Sequence, residues 1–232
     1  MKYIIFILLI LPQLLPASSQ LLLVISDDFH ATTATLQRYE LHNSHLHPVG
    51  AAVAVNLGRS GLGWSPSELE IPHNSHDPVK REGDGRAPSG IFYITGSFGY
   101  VAQTNPNMPH IQSSADLICV DDVHADTYNT IVPRAMASDA TSFEIMRRQD
   151  DLYALGLTLS HNAKRIPYDG SCVFLHVEKA PGTPTAGCTS MSKNDLATVI
   201  RWLDITKKPL LVQVTSAYVP QVMKLLDQLK DL

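Results

Sequence analysis

The chain has 232 residues, 44% of them apolar and 17% charged, with a formal net charge of −4 at pH 7. An average soluble chain carries about 25% charged residues, so this composition excludes a charge-rich disordered chain. Without a Lys/Arg cluster there is no nucleic-acid footprint, and without a repeat of about 20–50 residues there is no solenoid.

Lys2, the apolar stretch from Tyr3 to Leu15, and the small-x-small pair Ala17 and Ser19 read as a signal segment cut before Gln20. Pro12 and Pro16 leave it too short and broken for a membrane span of about 20 residues. The predicted organisation is therefore a signal peptide over 1–19 and one domain over 20–232, secreted or periplasmic. Membrane contact is expected only through the signal segment before cleavage. Export places Cys119, Cys172 and Cys188 in an oxidising compartment, where an odd count leaves at least one thiol free or paired between chains. Cys119 and Cys172 are expected to be paired or inert.

Leu21 to Ile25 predicts a buried strand. Ala34 to Leu41 and Val49 to Val55 predict two more, with His42, His45 and His47 in the turn between them. Gly and Pro punctuation from Ser60 to Asp84 predicts a long surface excursion, anchored by Trp64. Ile91 to Ile94 and Leu117 to Val120 are predicted strands, and Phe143 to Leu152 a helix. Strands follow at Leu155 to Leu159, Cys172 to Val177 and Leu210 to Val214. Ser192 is an N-cap, opening a helix that buries Leu196, Val199, Ile200 and Leu203. Val222, Leu225, Leu226 and Leu229 repeat that spacing in a C-terminal helix. The sum is a mainly β domain with a few peripheral helices.

The chemistry concentrates in one block. Alternation puts Cys172, Phe174 and His176 on one face of a strand, and Val173, Leu175 and Val177 on the other. The Pro/Gly loop Ala180 to Gly187 then delivers Cys188 just before the Ser192 helix. A thiolate is the reactive form of cysteine, and a strand histidine reaching a loop thiol is a workable base for it. Gly187 lets the backbone approach a substrate carbonyl, and N–H groups around Cys188 are placed to hold an oxyanion. Asp121, Asp122 and His124 lack a firm fourth ligand, so no metal and no cofactor is predicted.

His176 followed by Thr185-Ala186-Gly187-Cys188-Thr189 resembles the signature of the L,D-transpeptidase (YkuD-type) catalytic domain. Lys80 to Phe92, with Pro88, Gly90 and Phe92, is similar to that family's upstream Pro-x-Gly-x-Phe segment. Cys119 to Asp122, Tyr128-Asn129 and His161-Asn162 are similar to a divergent bacterial branch. Ala186 stands where the family usually has His, and Ala87 where it usually has Thr. The resemblance spans about residues 50–215 and implies a YkuD-like β-sandwich. It implies an exported cysteine acyltransferase acting, as a monomer, on peptidoglycan stem peptides. Cys188 would be the nucleophile, His176 the base, and the Gly187 and Cys188 N–H groups the oxyanion site. His161, Arg86 and Thr185 are the residues expected to bind substrate. The alternatives are an L,D-carboxypeptidase or endopeptidase cutting the same bond, and a non-catalytic cell-wall binding module.

Overall fold

Leu21, Leu22, Leu23 and Val24 are all buried, because the strand they form is covered on both faces. The computed structural model describes residues 18–43, 45–103 and 105–229, so the signal-segment reading lies outside the described residues except for its last two positions. In chain order the elements are β1 (Gln20–Ser26), β2 (Thr33–His42), β3 (His45–Asn56), β4 (Leu62–Trp64), β5 (Ala87–Gly99), β6 (His110–Gln112) and β7 (Leu117–Val120). Then come β8 (Ile131–Pro133), β9 (Phe143–Ile145), β10 (Leu155–Leu159), β11 (Phe174–Val177), β12 (Thr189–Met191), α1 (Lys193–Trp202), β13 (Leu210–Thr215) and α2 (Val219–Leu229). The chain is mainly β. Among the described residues, no helix is long and apolar enough to cross a membrane.

The large sheet runs β10-β11-β12-β3-β2-β1-β13-β5, and β5 pairs back onto β10 through Leu157↔Ser97. It therefore closes into a barrel, which leaves its main strands without a free edge. Period-2 alternation sorts β1 between two cores. Leu22 and Val24 join Leu36, Phe92, Leu157 and Leu175, with Leu196, Val199 and Ile200 of α1. Leu21 and Leu23 join Leu210, Val212 and Val214, with Val222 and Leu226 of α2. Each such leucine contributes about 1.5–3 kcal/mol by leaving water. Ser192 caps α1 as expected, its hydroxyl accepting the Asp195 N–H at 3.1 Å. Trp64 is buried and donates to Asp77, an anchor for the predicted excursion.

A second sheet runs β8-β7-β9, and its Cys119 belongs to one apolar cluster with Phe98 of β5 and Phe174 of β11. The predicted helix over Phe143 to Leu152 is corrected here. Phe143–Ile145 is β9, pairing with β7, and Met146 is fully buried beside Cys119 and Cys172. Downstream, Asp150 accepts from the Leu152 N–H at 3.1 Å and from Nε and Nη2 of Arg148. Such local side-chain bonds compete with helical ones. Two boundaries also move. The β2–β3 ladder continues to His42↔His45, so His47 lies inside β3 opposite Glu40 rather than in the turn. Cys172 has left-handed backbone (φ +51°), so β11 begins only at Phe174.

Cys119 and Cys172 form a disulfide with Cα atoms 5.9 Å apart, tying β7 to the segment before β11. Cys188 is free and buried. Thiol titration of the denatured, unreduced protein is expected to find one free thiol; three would refute the bridge.

Candidate active site

β11 and β12 are parallel neighbours, with Leu175 beside Thr189 and His176 beside Ser190. This register carries His176 and the Cys188 loop to the same end of the sheet, as the short connection between them predicts. Both line one cavity of about 240 Å3, together with Thr185, Ser190, Tyr153 and Glu144. Cys188 and His176 are 9% and 7% exposed.

The His176 Nδ1 lies 2.8 Å from the Val177 carbonyl oxygen, which can only accept. Nδ1 therefore carries the hydrogen, and Nε2 keeps its lone pair. Burial lowers the His176 pKa, against the pull of that carbonyl. The ring is neutral at pH 7 and has the form of a base. The Tyr153 ring stands edge-on to it, with centroids 5.4 Å apart.

The Cys188 thiol is held in a protonated resting state. Sγ accepts the Phe174 N–H at 3.3 Å and donates to the Cys172 carbonyl at 3.5 Å. Burial, then the carboxylate of Glu144, pushes its pKa up to about 12, while the Phe174 N–H and Lys80 pull the other way. No hydrogen bond joins Sγ to His176 in this state.

The other predicted residues fall elsewhere or serve the loop. The Gly187 N–H donates to Thr185 Oγ1 at 3.1 Å, so it is spent inside the turn rather than free for an oxyanion. Thr185 Oγ1 in turn donates to the Cys188 carbonyl at 2.6 Å. Thr185 thus lines the cavity, but its hydroxyl already braces the loop. Gly187 has φ +151°, and a Cβ there would stand 3.1 Å from the Arg86 carbonyl oxygen. The close approach predicted for this glycine is to the chain itself. Arg86 does not line the cavity. Its guanidinium donates to the carbonyls of Phe29, Ser60 and Leu62, bracketing the loop before β4. Asp84 accepts from buried Lys80, and Glu82 from Tyr128 and Ser171. Asp122 accepts from the His124 N–H and from Thr141, closing a loop of its own.

His161 is 3% exposed and does not line the Cys188 cavity. It borders a separate cavity of about 320 Å3 with Asn129, Thr130, Thr158 and Phe174. Neither ring nitrogen has a protein partner. Burial, then the ammonium of Lys80, lowers its pKa to about 3. Below pH ~6.5 the unfolded chain takes up a proton that folded His161 refuses, so folding stability falls with pH until about pH 3. The expected loss is about 1.4 kcal/mol for each pH unit within that window. His161→Leu removes this titration, and its acid unfolding curve should be shallower than that of the unaltered protein. Equal slopes would refute the assignment.

Sequence reasoning missed Glu144 and Arg148, because their segment was expected to be helical, and Tyr153, which directly follows it. The alternation Phe143-Glu144-Ile145 was the signal for a short strand that turns its carboxylate to one side.

No protein-family model and no curated protein matches the chain. Among solved structures it is similar to the one described as the structure of Bdellovibrio bacteriovorus Bd1075, at 11% identity and a TM-score of 0.41. That alignment covers 93% of this chain and 54% of the other, so the chain spans about half the length of that structure.

Proposed function

We propose that the chain is an exported cysteine acyltransferase of the L,D-transpeptidase type, acting on peptidoglycan stem peptides. One observation carries the reading: the only free thiol among the described residues and a neutral imidazole with an unoccupied Nε2 line the same cavity. In this reading the closed sheet is a flattened YkuD-like sandwich, with its two apolar clusters as the inner and outer layers.

The thiol leaves the Cys172 carbonyl and passes its proton to Nε2 of His176 as sulfur attacks a stem-peptide carbonyl. The tetrahedral oxyanion takes a hydrogen bond from the Cys188 N–H, since that of Gly187 is engaged by Thr185. Collapse expels the amine, which receives the proton from the imidazolium. The thioester left on Cys188 then passes its acyl group to a second amine, giving a crosslink, or to water, giving hydrolysis. The pocket around the sulfur is small and lined in part by Leu152, Pro184 and Ala186, which disfavours free entry of water.

Incubation of the chain from residue 20 onward with purified muropeptides tests this. Crosslinked dimers are the expected product. Shortened stems would assign a carboxypeptidase or endopeptidase, and bound but unchanged peptide a binding module.

A further inference from the structure

The Cys188 cavity has one wall whose charge is unbalanced. Glu144 on β9 lines it half-buried and accepts a hydrogen bond from the hydroxyl of Tyr153. A carboxylate has about four lone-pair sites, so a single protein donor leaves acceptor capacity open to the cavity. Among the described residues, no lysine or arginine forms an ion pair with it. Burial, and then the carboxylates of Asp121 and Glu82, raise the Glu144 pKa, while the Tyr153 hydroxyl and Arg148 pull the other way. Two cations border the cavity; Arg148 offsets part of the carboxylates' field, but neither forms an ion pair with Glu144. Arg148 is clamped by both oxygens of Asp150, at 2.9 and 3.0 Å. Lys179 is exposed, where solvent and salt screen it. His176 is neutral, for the reasons given above.

We infer that Glu144 is a specificity-determining residue that binds a primary ammonium group of the substrate, beside the thiol. The inference rests on the reading of the Cys188 cavity as the substrate site. A partly desolvated carboxylate without a counter-ion is costly in the empty site, and an entering ammonium repays that cost. The same pairing offsets a negative charge acting on the thiol, since Glu144 is one of the groups that hold Cys188 protonated. A cationic substrate therefore assists ionisation of the nucleophile it is about to meet. A neutral or anionic analogue does not.

The test uses two thiol reagents of nearly equal size. Aminoethyl methanethiosulfonate carries a primary ammonium, and sulfonatoethyl methanethiosulfonate carries a sulfonate. Each transfers its thioalkyl group to a thiolate as a disulfide and releases methanesulfinate. Cys188 is the one free thiol among the described residues, so intact mass reads its modification directly. Rates on the folded protein are divided by those on free 2-mercaptoethanol. A preference of at least about tenfold for the ammonium reagent is expected, within the range that charged clefts produce. Glu144→Gln keeps an acceptor for Tyr153 and should lose most of the preference. Tyr153→Phe should keep it, because the carboxylate remains. A preference that survives Glu144→Gln overturns the proposal, as does a folded protein whose thiol neither reagent reaches. Neither reagent requires acyl transfer. Charge preference without muropeptide turnover would therefore overturn only the proposed activity, and turnover without charge preference only the role of Glu144.

Discussion

Replacing His176 with alanine is expected to lower the rate of Cys188 acylation by about 10²–10⁴-fold, the range for a positioned general base. The thiol is buried, and its pKa is pushed up to about 12. At pH 7 almost none of it is thiolate without a proton acceptor at hand. His176 supplies that acceptor as a neutral ring, its Nδ1–H fixed on the Val177 carbonyl. The sign of the pH dependence follows. Burial lowers the His176 pKa below 6.5, so the base form persists to lower pH and the acid limb of the rate profile lies below 6.5. His176→Ala should lose that limb, and its residual rate should climb with pH toward the thiol pKa. Cys188→Ala should remove acylation altogether while leaving a folded barrel, since it deletes one sulfur from a core otherwise unchanged. The check is acylation rate against pH, read by intact mass with a β-lactam or muropeptide donor. An unchanged profile in His176→Ala would falsify the base assignment.

Gly156→Val is expected to destabilise the fold by about 3 kcal/mol, the upper end of the usual cost of overpacking. A Cβ at Gly156 would stand 2.2, 2.5 and 2.8 Å from ring atoms of Phe98. The backbone has no room to yield. Gly156 pairs with Phe98 on one side and with His176 on the other, in a sheet that closes on itself. Phe98 has none either, being fully buried against Phe174 and Tyr153 at centroid distances of 5.1 and 5.6 Å. In a chain of this size the loss should lower Tm by roughly 6–12 °C. Phe98→Leu in the same chain should restore part of it, because neighbouring substitutions couple through the space they share. A Tm equal to or above that of the unaltered protein would refute the packing account. The glycine also has a functional side, since the ring it admits supports two of the aromatics around the thiol.

Much of the fold was legible locally. The alternation in Phe174-Leu175-His176-Val177 requires only that successive side chains point to opposite faces, and His176 and Leu175 do separate in that way. Ser192 and Asp195 are three positions apart, so the α1 cap is written in the sequence. The short Pro/Gly connection from His176 to Cys188 already constrained both to one end of the sheet. The expected helix over Phe143 to Leu152 shows where local pattern loses. Its register as β9 comes from β7, and nothing near it in the chain announces that partner.

The use of each polar group was decided by the tertiary structure. Arg86 looked available for substrate, yet its guanidinium goes to carbonyls at Phe29, Ser60 and Leu62. His161 looked like a cleft residue, yet the β10 end places it in a different cavity. Cys119 and Cys172 could have been paired or merely buried until the β7 sheet brought their Cα atoms to 5.9 Å. Glu144 shares a cavity with the thiol, on a strand placed by its pairing with β7. The physical reason is common to all four. Periodicity and caps depend on neighbours within a turn or a strand, so the sequence by itself determined them. A donor or a charge must be satisfied by whatever the closed fold brings within about 3 Å, and that choice is made across the whole chain.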